Sequence, residues 1–129
     1  MKNHVQTFVF GITGNVTGGE TSYPPPGNAT WAEGKDSIGA STTRGGTLKG
    51  LWVGALEAPG GSVVDTITVY VNLDPTALTC TLTGSQTLSG DSTHTVTITA
   101  HSYITIKYDA GAGSVAGRIS VSVEVENDN

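Results

Sequence analysis

From Ser62 onward, apolar and polar residues alternate with period two: Ile67, Val69 and Val71; Leu78, Cys80 and Leu82; Val96, Ile98 and Ala100; Ile104, Ile106 and Tyr108; Ile119, Val121, Val123 and Val125. Successive side chains of an extended chain point to opposite faces, so this is the pattern of half-buried β-strands. Turn clusters separate the runs: Ala58-Pro59-Gly60-Gly61, Asn72-Leu73-Asp74-Pro75, Gly84 to Asp91, and Gly111-Ala112-Gly113. Glycine tolerates positive φ there, and proline presets φ near about −65°. No window of about 11 residues keeps apolar positions at helical spacing, and Thr, Val and Gly all disfavour helix. The pattern predicts an all-β chain: an antiparallel β-sandwich of about 8–10 strands with essentially no helix.

The run from Thr47 to Glu57 differs from the others. Strict alternation puts Leu48, Gly50, Trp52, Gly54 and Leu56 on one face and Lys49, Leu51, Val53 and Ala55 on the other, so both faces are largely apolar. A strand with two dry faces is either central in a fold covered on both sides or has one face in a subunit contact. Leu48, Trp52, Leu56, Leu51 and Val53 are therefore the candidate subunit interface, with Trp52 as an ordinary core aromatic the competing reading. Glycines beside Trp52 leave room for another backbone or ring to approach the indole.

Residues 1–129 read as one domain whose first 46 residues stand apart. Val5 to Ile12 can form a strand, after which Gly14 to Gly19 and Tyr23-Pro24-Pro25-Pro26-Gly27 break regularity. Three prolines favour stiff, extended polyproline II. With Tyr23 and Trp31 they form either a docking arm (Tyr23, Pro24, Pro25, Pro26, Trp31) or an excursion lying on its own sandwich.

Composition narrows the chemistry. The 129 residues include 18 Gly, 20 Thr and 11 Ser, and only 13% are charged, so the surface is hydroxyl-rich rather than ionic. Six Lys+Arg against eleven Asp+Glu give a net charge of −5, which leaves no basic stripe for nucleic acid. No stretch approaches the roughly 20 apolar residues of a membrane helix, and the N-terminus lacks a secretory leader. Two Asn-x-Thr sequons, at Asn15 and Asn28, read as products of a Thr-rich chain. Cys80 alone excludes an internal disulfide or a cysteine metal cage and reads as a buried, inert thiol. His4, His94 and His101 have no metal-ligand spacing, the carboxylates fall mostly at turns, and no serine sits in a nucleophile motif. The glycine pairs lack the lysine and helix of a phosphate loop. No catalytic site, metal or cofactor is expected.

Strand and turn motifs carry one resemblance, over about residues 47 to 126. Leu48-Lys49-Gly50-Leu51-Trp52-Val53, Glu57-Ala58-Pro59-Gly60-Gly61-Ser62, Thr66-Ile67-Thr68-Val69-Tyr70-Val71-Asn72, Leu78-Thr79-Cys80-Thr81-Leu82-Thr83-Gly84, Asp91 with the β-run to Ala100, and Arg118-Ile119-Ser120-Val121-Ser122-Val123-Glu124-Val125 follow one another in order. This succession resembles small β-sandwich structural proteins of tailed bacteriophages: head decoration proteins, head fibres and tail-fibre domains. The resemblance implies a jelly roll similar in shape to the tumour necrosis factor and C1q heads, a homotrimer, and contacts with the major capsid protein or other virion proteins. It also implies a location in the virion after synthesis in the host cytoplasm. Leu73-Asp74-Pro75 departs from the plain Asn-Gly-like turn of such proteins, and His101-Ser102 from their Gly-Asp. A capsid decoration trimer is the function expected. The alternative is a carbohydrate- or receptor-binding module that offers Tyr23, Trp31, Tyr70, Tyr103 or Tyr108 to a host-surface glycan. Solvent-facing aromatics would favour that module; buried ones would not.

Overall fold

The computed structural model describes residues 5–24, 27–29, 40–42 and 44–127, with 27–29 described by backbone alone. Eleven strands are formed among them: β1 (Val5–Ile12), β2 (Thr21–Ser22), β3 (Gly27–Ala29), β4 (Ala40–Ser41), β5 (Gly46–Glu57), β6 (Val64–Val71), β7 (Asp74–Thr83), β8 (Leu88–Asp91), β9 (Val96–Ile98), β10 (Tyr103–Asp109) and β11 (Gly117–Asn127). Among the described residues there is no helix. Sheet A has the order β3-β1-β11-β5-β8, with β9 also on β5; sheet B has the order β2-β10-β6-β7, with β4 also on β10. The chain is a ribbon doubled over at the β6–β7 turn. β5 then lies beside β8, β2 and β4 beside β10, and β1 beside β11, which is the jelly-roll arrangement of two packed sheets.

Alternation builds the core as the sequence predicts. Ile119, Val121, Val123 and Val125 of β11 face Ile67 and Val69 of β6, Leu78 and Leu82 of β7, and Ile104 and Ile106 of β10, all 1% exposed or less. Fully burying one such side chain stabilises the fold by about 1.5–3 kcal/mol. The strand count exceeds the expected 8–10 because four elements of two or three residues extend the sheets. Part of the Gly84 to Asp91 turn cluster is itself the strand β8. Asp74 and Pro75, read as turn, already belong to β7; proline is tolerated there because β7 is an edge strand.

β5 departs from strict alternation. Lys49 pairs with Glu124 and Trp52 with Ser122, so Gly50 and Leu51 together oppose the single residue Val123. This is a β-bulge, and Gly50 adopts φ 64°, a conformation open to glycine and strained for other residues. A Cβ at position 50 would also lie 3.3 Å from the Glu124 carboxylate. The extra residue switches the strand's faces. Leu48 enters the core together with Leu51, Val53 and Ala55, while Trp52 and Leu56 point to solvent. The expected face Leu48-Trp52-Leu56 therefore does not exist as one surface.

Two carboxylates close the sandwich. At one end Asp65, fully buried, accepts hydrogen bonds from Tyr108 Oη (2.6 Å), Ser114 Oγ (2.7 Å) and Gly111 N (2.8 Å), fixing the β10–β11 turn on β6. Burial, then the hydrogen bond to Asp65, pushes the Tyr108 phenol well above its ordinary range, so it stays a donor. At the open side of sheet B, Asp91 of β8 accepts from the backbone N of Thr79 in β7 (3.3 Å), linking the two sheets across an edge. Its other bonds come from Thr93 N and Oγ1 (both 3.0 Å), His94 N (3.1 Å) and His94 Nδ1 (2.7 Å).

The β6–β7 hairpin turns through Asn72 (φ 51°) and Leu73 (φ 70°), a type I′ geometry that prefers Asn-Gly. Asn72 is held from two sides, its N donating to Tyr103 O (2.7 Å) and its Oδ1 accepting from Tyr103 N (2.8 Å). Leu73 is thereby kept in the left-handed region with its side chain exposed. Leu73→Gly should raise stability by up to about 1 kcal/mol, relief of the side-chain strain outweighing the added freedom of the unfolded chain. Chemical denaturation of the two proteins checks this.

Candidate interaction face

The outer face of sheet A is set by strand register. One row across it runs Val9, Ser122, Trp52, Gly90; the next runs Gly11, Ser120, Gly54, Leu88. Bulky residues thus flank a row whose centre is glycine and serine, and a groove of about 460 Å³ opens there, lined by Val9, Ile12, Thr13, Leu56, Arg118, Ile119 and Ser120. Around it Val9 is 47% exposed, Trp52 48%, Leu88 63% and Leu56 71%, large values for apolar side chains so close together.

The Trp52 indole lies over β8. A Cβ built on Gly90 would sit 2.6 Å from Cε3 and 2.8 Å from Cδ2 of the ring. Gly90 is therefore the position where a backbone approaches the indole closely. The sequence points to the glycines beside Trp52 in β5, whereas the cross-strand neighbour does this work. One face of the ring is packed on the sheet and the other is open.

Charges frame the face unevenly. Lys49 is paired with Glu126, whose hydrogen bond pushes the ammonium pKa up, the Glu126 charge adding to it. Arg118 stands at the groove, exposed, at φ 52°, and has no ion-pair partner among the described residues.

The outer face of sheet B is different in kind. Thr66 and Thr81, and Thr68 and Thr79, pair across β6 and β7, with Thr68 and Thr79 hydroxyls 3.3 Å apart. Lys107 Nζ sits 5.9 Å from the Tyr70 ring centroid and 3.5 Å from Asp109. Sheet B thus presents a hydroxyl-rich, paired surface, whereas sheet A carries exposed apolar side chains at one end beside Ser122, Glu124 and the Lys49–Glu126 pair.

The candidate site residues separate accordingly. Leu48, Leu51 and Val53 are core residues of the single chain, which leaves Trp52 and Leu56 on the candidate face. The sequence missed Val9, Leu88 and Arg118, because their nearness to Trp52 comes from pairing between distant strands. Of the expected arm, Pro24 is buried and Tyr23 half-buried, while Pro25, Pro26 and Trp31 lie outside the described residues. Just beyond, β3 runs parallel to β1, Gly27 beside Phe10, so this part of the first third lies on its own sandwich. Among the aromatics considered for a glycan, Tyr108 is in the core, and Tyr70 and Tyr103 are half-buried on sheet B.

The titratable groups serve the fold. Cys80 is buried, and burial pushes its thiol up to about 11, so it is protonated at neutral pH. His94 is tied to Asp91, and His101 occupies a turn at φ 63°; His4 lies outside the described residues. The side-chain amide of Asn15 donates to Glu57 and to Val115 O, both at 2.9 Å. Among the described residues, no three His, Cys, Asp or Glu side chains are grouped to hold a metal. No protein-family model matches the chain, and no curated protein matches it in sequence.

Two outcomes follow from these contacts. Burial works to raise the Asp91 carboxyl, but the N–H groups of His94, Thr93 and Thr79 and the His94 ring outweigh it and hold its pKa well below the ordinary 3.8. A lowered folded-state pKa stabilises fully above the unfolded value and less as pH falls towards the folded one. Urea midpoints of the wild type should therefore drop between about pH 5 and pH 2 more steeply than those of Asp91→Asn. Separately, Gly90→Ala should lift the indole from β8 and change Trp52 emission, read in a Trp31→Phe background. Gly54→Ala, whose added Cβ meets nothing nearer than 4.0 Å, should change it far less.

Proposed function

We propose that this chain is a non-enzymatic structural protein of a bacteriophage virion, a capsid-decorating β-sandwich that assembles as a trimer through the outer face of sheet A. The observation that supports this reading is the contrast between the two outer faces. The threonine surface of sheet B is satisfied in water, whereas on sheet A Val9 and Leu56 line a groove and Trp52 and Leu88 stand exposed on the same face. Apolar patches of this kind on otherwise polar domains mark contact surfaces. A decoration protein must fold alone and then add a rigid layer to the shell. A sandwich with its carboxylates locked at one end and one edge, and with a single apolar face, suits that task. Contacts with the major capsid protein or other virion proteins belong to the same reading.

A second reading is supported by the Trp52 ring. An indole packed on Gly90 with one side open, and with Ser122 as its cross-strand neighbour, has the flat platform and the hydrogen-bonding flank that sugar rings use. In that case the chain is a glycan-binding module of a tail fibre.

Light scattering behind a sizing column tests the first reading. The wild type should give a mass near three chains, and Trp52→Ser should shift it towards one with the far-ultraviolet spectrum unchanged, because Trp52 takes no part in the core. A wild type that stays monomeric at every concentration would overturn the trimer. Quenching of Trp52 emission by oligosaccharides in the same sample would favour the glycan reading.

A further inference from the structure

We infer that the groove on sheet A receives the Leu73-Asp74 turn of a second copy of this chain, so that assembly is head-to-tail. The inference rests on the reading of this face as the assembly face and names its occupant.

Three observations converge on it. The first is the turn itself. Leu73 is held at φ 70° in a position that favours glycine, its side chain 55% exposed, while Asn72 is bonded on two sides to Tyr103. The turn is rigid, and it displays an apolar side chain at a cost in backbone strain. Strain of this sort persists where the surroundings over-determine it and is characteristic of contact sites. A preformed tip also loses little conformational freedom on docking.

The second is charge. Asp74, exposed and adjacent to Leu73, has no ion-pair partner among the described residues, and neither has Arg118 in the groove. Of the other described cations, Lys49 and Lys107 are paired, and Arg44, without an ion-pair partner among the described residues, does not line the groove. The tip therefore carries an apolar group followed by a free carboxylate, and the groove offers Val9, Leu56 and Ile12 beside a free guanidinium. An apolar tip with an adjacent negative charge thus faces an apolar groove with an adjacent positive one.

The third is placement. The groove lies where β5 ends and β11 begins, at the end of the sandwich from which β6 departs. The turn lies at the far end of β6, eight residues away, or about 26 Å of extended strand. It also belongs to the opposite sheet. One molecule cannot fill its own groove, whereas a neighbour can. A contact between two different patches of identical chains is heterologous, and it closes into a ring when the rotation allows, three copies being one such ring.

Light scattering over a concentration series, on the full chain, tests the contact. Leu73→Gly should weaken association by about tenfold or more, while its denaturation midpoint, taken at a dilution where both proteins are monomeric, stays at or above the wild-type value, so that loss of assembly is not loss of fold. Asp74→Arg and Arg118→Asp should each weaken association by about tenfold, and the double reversal should recover most of it. A wild type that associates while Leu73→Gly and both reversals leave its mass unchanged would overturn the proposal. If Trp52→Ser alone dissociates that assembly, the face remains the assembly surface and the turn is not its occupant. A wild type monomeric throughout would overturn both.

Discussion

One inserted residue in β5 decides what this molecule shows to its surroundings. With Gly50 and Leu51 sharing a single partner on β11, the strand changes phase midway, and apolar residues on either side of the bulge turn inward. Without that shift, Leu48 and Trp52 would share a face, and a twelve-residue central strand would have to leave half its apolar side chains in water. The bulge requires a left-handed backbone, and glycine supplies it. The outer face of sheet A, from the Trp52 platform to the groove beside Leu56 and Ser120, is downstream of this constraint.

The rest of the sandwich is held by few polar groups placed where they count. Asp65 gathers three neutral donors in a buried site, so the turn after β10 cannot swing away without stranding a carboxylate. Asp91 does the corresponding work at the side where sheet B stops at β7. Between these clamps the core is almost wholly aliphatic. The low charge content of the chain is consistent with this economy: hydroxyl groups satisfy the outer face of sheet B through short bonds such as Thr79 Oγ1 to Ile67 O at 2.8 Å.

Much of this architecture is legible in the chain because period two is a strong signal. The inward positions Ile67 and Val69, Leu78 to Leu82, Ile104 to Tyr108 and Ile119 to Val125 appear in the sequence as they sit in the fold, and β1 spans the residues its pattern predicts. The bulge is not legible in the same way. Gly50 reads equally as a member of a regular strand, and only its pairing against Val123 shows the phase change. The candidate face was half visible: Trp52 and Leu56 stand out in β5, whereas Val9, Leu88 and Arg118 join them through pairings that span the length of the chain. The place of Gly27–Ala29 beside β1 was not legible, since it depends on a parallel pairing that no local pattern encodes.

The link between Asp91 and Thr79 has a consequence beyond the stability of the monomer. Among the described residues β7 is the outermost strand of sheet B, and the N–H of Thr79 points away from its partner β6, towards Asp91. An unpaired edge of this kind is a template on which another extended chain can add, and proteins blunt such edges by twisting, charging or covering them. Here the blunting at Thr79 is a single carboxylate, an acceptor whose hold depends on ionisation. Acid would therefore do more than loosen the turn around His94: it would uncover a sticky selvage along a Thr-rich, nearly uncharged strand, the kind of segment that stacks into cross-β ribbons. In the assembly proposed for this chain, the same few atoms would separate a finite particle from an endless one.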